Sequence, residues 1–359
     1  MITILPDFRE EGWHSMDLCA DMLIQNAPPG TDLRIAHPCF CRILGFLPSN
    51  KAKNFDRWYN RWKVYPRLVE KLGSSPGFFH IVDHSYAHLA NYLPSGRVGI
   101  YCHDLDAFQC ILAPSKEHRP DWFRRMMGRV FEGFKKAKIV FCSTQVTRDK
   151  LASLGVWRHE AIKVVPYGIA KEFTSIGDCE AGNYILHVGS CIPRKRIDVM
   201  IDTFAQLSKS FTNLRFIQAG GSFSKEHQQQ IFRLNLGSKL EQRRNLSRKD
   251  LARLYRGARC LLITSDSEGF GLPVIEALAC GTRVVASDIP TLREVGGKDV
   301  SYCMPGNSIE FVEAISKQLS TKEDKSNLFV NKLWKETYDW KFHSKVIVDS
   351  YSKNLNEED

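Results

Sequence analysis

The chain is expected to be an α/β protein of two Rossmann-like, doubly wound parallel-sheet domains. Three observations predict this. Its 359 residues suit about two domains of ordinary size. Short apolar runs alternate with longer amphipathic stretches, as in strand–helix–strand units. The alternation halts at the turn Pro166-Tyr167-Gly168 and restarts at Tyr184. The expected boundary between the two domains falls near residue 168.

The elements follow in order. In the first half Ile2–Leu5, Leu33–Ala36, Phe79–Val82, Val98–Cys102, Ile139–Ser143 and Lys163–Val165 read as buried strands. Helices fill the gaps at 15–25, about 55–72, 121–136 and 144–154. In the second half Tyr184–Val188 is a strand, Ile197–Ser208 a helix, Leu214–Ala219 a strand and Lys225–Leu234 a helix. Ser247-Arg248-Lys249-Asp250 resembles a capping box before a helix over Leu251–Arg256. Cys260–Thr264 is the next strand, and Arg283–Ser287 the one after it. Between them Pro273 suits a first helical turn, where its missing N–H costs nothing, and Gly281 stops that helix.

Composition narrows the function classes. Apolar and charged fractions of 43% and 25% are those of a globular chain rather than a disordered one. No apolar run approaches the roughly 18 residues of a membrane span. Met1–Leu5 is stopped by Pro6 and Asp7 and has no basic segment before it, so it reads as a first strand and not as a leader. The eleven cysteines are scattered and form no C-x-x-C, which points to reduced, mostly buried thiols in a cytoplasmic protein.

The densest chemistry lies at Glu268-Gly269-Phe270-Gly271-Leu272-Pro273-Val274-Ile275-Glu276. Two carboxylates bracket a glycine-bearing loop at the carboxyl end of a strand, where open parallel sheets bind ligands. Glycines let the backbone approach a ligand, and free N–H groups at the helix start favour phosphate. Glu268 in the loop and Glu276 in the first helical turn can both accept hydrogen bonds from hydroxyls. A polyhydroxyl compound carrying phosphate, a nucleotide sugar, fits these groups.

This stretch, with Ala277-Leu278-Ala279-Cys280-Gly281-Thr282 after it, resembles the signature of family-4 retaining glycosyltransferases. The resemblance implies the GT-B fold, two Rossmann-like domains facing across a cleft. It implies transfer of a hexose from a nucleoside-diphosphate sugar, UDP or GDP, to a glycan or lipid-linked glycan, with no permanent cofactor and no catalytic metal. Glu268 then contacts the sugar hydroxyls and Glu276 the ribose. The backbone of Phe270, Gly271 and Leu272 meets the phosphates or the sugar. In His187-Val188-Gly189-Ser190-Cys191-Ile192-Pro193-Arg194-Lys195, Lys195 matches the family's phosphate lysine, with Gly189 and Arg194 beside it. Many members carry arginine just after the glycine. This chain has Ser190 there, with Arg194 or Arg196 as the substitute cation. His103, after the strand Val98–Cys102, matches the active-site histidine. Gly12 stands in the loop beside the donor phosphates. Trp13, His14 and His84 are acceptor candidates. The stretch from Tyr338-Asp339-Trp340 to Tyr351 matches the last helix, which returns to the first domain, so the resemblance implies a first domain of 1–168 plus a C-terminal helix of about 338–359 and a second of 169–337.

The net charge of +10 is uneven: residues 1–168 carry 23 basic and 16 acidic side chains, the remainder 27 and 24. Lys51–Lys71 and Arg124–Lys136 interleave basic and aromatic residues, as helices that lie on anionic membranes do. Peripheral contact with the inner face of a membrane is therefore an expectation beside the cytoplasmic one. No nucleic-acid motif accompanies the charge, so nucleic acid is not an expected partner. His84 and His88 are spaced i, i+4 but lack a third metal ligand. Two other classes compete with transfer: a different sugar-nucleotide enzyme, such as an epimerase or phosphorylase, and a non-catalytic scaffold. The scaffold reading expects loss of Glu268, Lys195 or His103, and all three are present.

Overall fold

The computed structural model describes residues 1–45, 49–115, 117–320 and 332–355. The chain divides into two compact units, Met1–Gly168 with the stretch from Asp339 onward, and Ile169–Tyr338.

The first unit is a parallel six-stranded sheet of β1 (Ile2–Leu5), β2 (Leu33–Ile35), β3 (Phe78–Ile81), β4 (Val98–Cys102), β5 (Ile139–Cys142) and β6 (Ile162–Val164), in the order β2-β1-β3-β4-β5-β6. β1, β3, β4 and β5 are buried along their whole length, which is why they are continuous apolar runs. The strand order reverses between β1 and β3.

The second unit repeats the design with β7 (Tyr184–Gly189), β8 (Arg215–Gly220), β9 (Leu240–Arg243), β10 (Cys260–Ile263), β11 (Val284–Ser287) and β12 (Val300–Cys303), in the order β12-β11-β10-β7-β8-β9. All its pairings are parallel, and its order reverses between β7 and β10.

Local signals place the helices. Ser49, Thr144, Ser224 and Ser247 each accept the N–H three residues on, capping the helices that follow. The single helix expected over 55–72 is instead two α-helices, Asn50–Tyr59 and Tyr65–Leu72, joined by a π turn at Asn60–Val64. Asp56 and Asn60 hold this segment inward. Asp56 accepts the N–H groups of Ile43 and Leu44, and Asn60 bonds both backbone groups of Cys41. The segment His84–Tyr92, left unassigned by periodicity, is a 3-10 helix capped by Asp83.

The C-terminal helix Trp340–Leu355 belongs to the first unit. Tyr351 is fully buried, packs on Phe78 and Phe141, and shares a 2.8 Å hydrogen bond with His80. Trp340 lies on Gly168, where an added Cβ would sit 2.2 Å from the Trp340 backbone nitrogen and 2.5 Å from its Cγ. Gly168→Ala is therefore expected to cost about 2–4 kcal/mol by overpacking, read as a fall in the denaturant midpoint at unchanged m-value. An unchanged midpoint would show that this contact tolerates a methyl group.

Candidate active site

The second unit concentrates its charged chemistry at the β7/β10 reversal. Two loops leave the carboxyl ends of these adjacent strands and are stitched together. Thr264 Oγ1 donates to the carbonyls of Lys195 (2.9 Å) and Arg196 (3.1 Å), and the Asp266 N–H donates to the Arg194 carbonyl (2.8 Å). The stitching brings residues 73 positions apart into one ion cluster. Lys195 Nζ lies 2.5 Å from Glu268 Oε1, and Arg194 lies 3.1 Å from Glu268 Oε2. Ser265 Oγ also donates to Oε1, at 2.7 Å. Burial alone would raise the Glu268 pKa. The charges of Lys195 and Arg194, with the Lys195 and Ser265 hydrogen bonds, outweigh it and hold the carboxyl below its ordinary range. Arg194 donates to the Ser267 carbonyl as well, at 2.7 Å. Of the two substitutes for an arginine at Ser190, Arg194 joins the cluster. Arg196 turns to Asp198 (2.9 Å) and Asp266 (3.2 Å).

Gly271 takes φ of +100° at the start of the helix Leu272–Ala279, with Pro273 in its first turn. This left-handed conformation is one that only glycine adopts freely. The Phe270 side chain packs edge-on against Tyr338, 5.8 Å between ring centres, and so anchors the loop from within. Glu276, on the same helix, is only 8% exposed. Tyr255 OH donates to its Oε2 at 2.8 Å, and Oε1 takes no hydrogen bond among the described residues. Burial pushes its carboxyl up to about 7, against the pull of that hydrogen bond. Glu276 is thus a recessed acceptor whose charge depends on pH near neutrality.

Two groups here escaped periodicity and motif. One is Tyr255, which orients Glu276 from a helix 21 residues upstream. The other is His187, fully buried on β7 with neither ring nitrogen hydrogen-bonded. A Cβ added to Gly189 would lie 3.8 Å from both His187 Cε1 and Lys195 Nζ, so the imidazole and the ammonium flank one point. Burial and then the Lys195 charge lower the His187 pKa to about 3. A histidine in the otherwise apolar run Tyr-Ile-Leu-His-Val was the signal available for it.

In the first unit His103 follows β4 and is buried. Its Nε2 donates to the Val82 carbonyl at 2.8 Å, so Nδ1 of the neutral ring accepts from Tyr167 OH. Burial lowers its pKa to about 4, opposed by Asp83 and reinforced by His84. Both ring nitrogens are thus committed to hydrogen bonds within the first unit. His84 is likewise buried. Its Nδ1 is 3.2 Å from Asp83, and burial, which would lower its pKa, is outweighed by the Asp83 hydrogen bond and the Asp83 and Asp104 charges. It is held in place by these acids beside the end of β3. In a 3-10 helix, residues four apart do not share a face, and His88 turns its Nε2 to the Arg61 carbonyl at 2.9 Å. Among the described residues no group of three or more His, Cys, Asp or Glu side chains is arranged to hold a metal ion. Gly12 takes φ of +73° with open space around its missing side chain, and Trp13 beside it is partly exposed. His14 begins the next helix, but its side chain lies outside the described residues.

Comparison with known proteins agrees with this geometry. Residues 170–332 match the family described as Glycosyl transferases group 1. The O-antigen chain mannosyltransferase RfbU of Salmonella typhimurium is 30% identical over 205 residues, 57% of each chain. The O-antigen chain mannosyltransferase B of Escherichia coli is 25% identical over 249 residues, 65% of this chain and 64% of the relative. The match thus spans less than two thirds of either relative's length. Among solved structures, Anabaena HepE, crystallised with UDP and glucose, is similar with a TM-score of 0.71 at 18% identity, over 98% of this chain and 99% of that one. WaaG, a glycosyltransferase involved in lipopolysaccharide biosynthesis, has a TM-score of 0.63 at 14% identity, over 99% and 98%. The family match thus falls on the unit that carries the Lys195–Glu268 cluster, and the likeness over nearly the whole chain gives the protein the GT-B fold.

Proposed function

We propose that the protein is a family-4 retaining glycosyltransferase that moves a hexose from a nucleoside-diphosphate sugar to a glycan or lipid-linked glycan during polysaccharide or glycoconjugate synthesis. The observation that carries this reading is the convergence of Lys195, Arg194, Glu268 and the Gly271 loop at the strand reversal of the second unit. The second unit takes the donor and the first the acceptor. Glu276 receives the ribose hydroxyls on Oε1. Lys195 and Arg194 supply the positive charge that the departing diphosphate needs, a role suited to fixed cations in a water-poor site. Glu268 holds both cations in place and accepts from the sugar hydroxyls. Attack occurs on the face that the nucleotide leaves. The anomeric carbon–phosphate oxygen bond breaks, the acceptor oxygen–carbon bond forms, and the acceptor proton passes to the leaving phosphate oxygen. His103 orients the sugar side of the first unit from within its hydrogen bonds to Val82 and Tyr167. The hexose is mannose, in keeping with the two O-antigen mannosyltransferases similar in sequence.

A panel of UDP-, GDP- and ADP-sugars tests this by protection against thermal unfolding, since bound ligand raises apparent stability by mass action. One donor is expected to protect the wild type and to lose that effect with Glu276→Ala. Protection by none, or equal protection of the variant, would overturn the reading.

The acceptor's setting is the inner face of a membrane, met by the first unit. No described helix is long and apolar enough to cross a membrane. Phe55 and Trp58 are 41% and 47% exposed beside Lys51 and Lys53, and Trp122 is 66% exposed beside Arg125. Aromatic rings flanked by cations suit a lipid interface. Phe55→Glu with Trp58→Glu is expected to abolish sedimentation with phosphatidylglycerol vesicles at low salt. Sedimentation equal to the wild type would remove these residues from the contact.

A further inference from the structure

The ligand crevice of an open parallel sheet lies where strand order reverses, beyond the carboxyl ends of the strands. In the second unit that position holds the Lys195–Glu268 cluster. In the first unit it lies between β1 and β3. The register pairs Leu5 with Ile81, so Asp7 and Asp83 each stand two residues past the last matched pair, side by side.

The two carboxyls differ sharply. Asp83 is satisfied: it accepts from the Ser85 N–H (2.8 Å) and Ser85 Oγ (2.7 Å), and lies 3.2 Å from His84 Nδ1. Asp7 is 8% exposed, and among the described residues nothing but the Asp83 carboxyl is placed to pair with its oxygens. The Asp83 carboxylate beside it offers repulsion unless a proton sits between them. Burial, then the charge of Asp83 and a hydrogen bond shared with it, push Asp7 well above the ordinary carboxylate range, with Arg61 pulling the other way.

An unpartnered polar group belongs to the same neighbourhood. The Arg61 Nε–H is buried and makes no hydrogen bond, although its terminal nitrogen donates to the Ser85 carbonyl. The Arg61 guanidinium lies 4.4 Å over the Tyr86 ring and 5.8 Å from the ring of Trp13. Tyr86 OH in turn donates to Glu11 at 3.1 Å.

These groups select a ligand by chemistry. A cation would meet Arg61 and the His84 imidazole, whose pKa is raised. An anion would meet Asp7, Asp83 and Glu11. A neutral hydroxyl both donates and accepts, so one pair of hydroxyls can give protons to Asp7 and receive one from Arg61 Nε. Trp13 adds an apolar ring face beside them. Leaving buried polar groups unpaired costs stability, and a ligand that pairs them recovers it. We propose that Asp7 and Arg61, beside Asp83 at the strand reversal of the first unit, bind a vicinal pair of hydroxyls on the acceptor sugar, with the Trp13 ring against the sugar's C–H face. This rests on the reading that the first unit takes the acceptor. It adds the positions that recognise it.

The test titrates the full chain with methyl α-D-mannopyranoside, methyl α-D-glucopyranoside and methyl β-D-galactopyranoside, followed by saturation-transfer NMR. At least one glycoside is expected to bind saturably. Asp7→Asn and Arg61→Gln are each expected to weaken it about tenfold or more, the loss of one charge-assisted hydrogen bond. Asp7→Asn keeps shape, and replacing one of two adjacent buried carboxyls with a neutral amide is expected to leave the melting temperature equal or higher. Failure of all three glycosides to bind the wild type, or binding by the two variants equal to the wild type, overturns the proposal. Protection by nucleotide sugars, read on the same samples, separates the two readings. Glycoside binding that depends on Asp7 without any donor protection leaves the sugar site standing and removes the transferase. Donor protection with glycoside binding indifferent to both variants does the reverse.

Discussion

Glu268→Ala is expected to reduce transfer by about a hundredfold or more and to destabilise the second unit. Both effects come from one cluster. Glu268 is the shared anion of Lys195 and Arg194, and Lys195 is itself buried. Removing the carboxylate strands a buried ammonium, which in comparable settings costs about 3–5 kcal/mol. Loss of aligned charge at the departing diphosphate accounts for the fall in rate, within the range seen when one electrostatic stabiliser is deleted. Acid separates the stability effect from mere loss of packing. The Glu268 pKa is lower in the folded protein than in the unfolded chain. Its contribution is therefore fully present above the ordinary value of 4.5 and fades as pH falls through the folded one. The gap in stability between wild type and variant is expected to be full at pH 7 and to narrow below pH 4.5. A gap independent of pH in chemical denaturation would mean that the cluster contributes packing and not charge.

The second large effect has the opposite sign. Glu276→Gln is expected to weaken donor binding sharply yet stabilise the protein above neutrality. Folding raises the Glu276 carboxyl from an ordinary 4.5 to about 7. A group shifted upward favours the folded state fully below its unfolded value, and that benefit is lost as pH rises through about 7. At pH 8 the wild type therefore carries a buried carboxylate with one neutral hydrogen bond, from Tyr255. The neutral amide avoids that charge, a gain on the order of 2–3 kcal/mol from the size of the shift. Near pH 4.5 the two proteins should unfold together. Donor affinity runs the other way, because ribose hydroxyls donate best to an ionised carboxylate. Wild-type affinity is expected to rise with pH through about 7, and the residual affinity of Glu276→Gln to stay flat. Melting curves and donor titrations at pH 5, 7 and 8 check both. A wild-type affinity independent of pH would remove Glu276 from the ribose. A cost of this kind at a binding residue is how function is purchased against stability.

Much of the fold was legible because it is local. The buried strands β1, β4 and β10 announce themselves as apolar runs, and the loop Glu268–Glu276 carries its glycines and proline where a strand-to-helix turn requires them. The π turn at Asn60–Val64 was not legible. Helical periodicity runs straight through it, and the bonds from Asp56 and Asn60 that draw this segment inward go to the loop at 41–44. His103 was legible as a position but not as a state. The partner of its Nδ1 is Tyr167, 64 residues away.

The sequence by itself determined the alternation of strands and helices, the two-unit division implied by it, and the residue types able to hold a nucleotide sugar. Those follow from side-chain period, turn chemistry and hydrogen-bonding capacity, which are properties of neighbouring residues. Only the tertiary structure decided which of these groups meet. Strand order sets β7 beside β10 and β1 beside β3, and so joins Lys195 to Glu268 and Asp7 to Asp83. It also decided their charge states, because burial and distant partners shift proton affinities in ways that no local pattern encodes. The reversal of strand order, occurring twice along one chain, thus sets an ion cluster at one site and two adjacent buried carboxyls at the other.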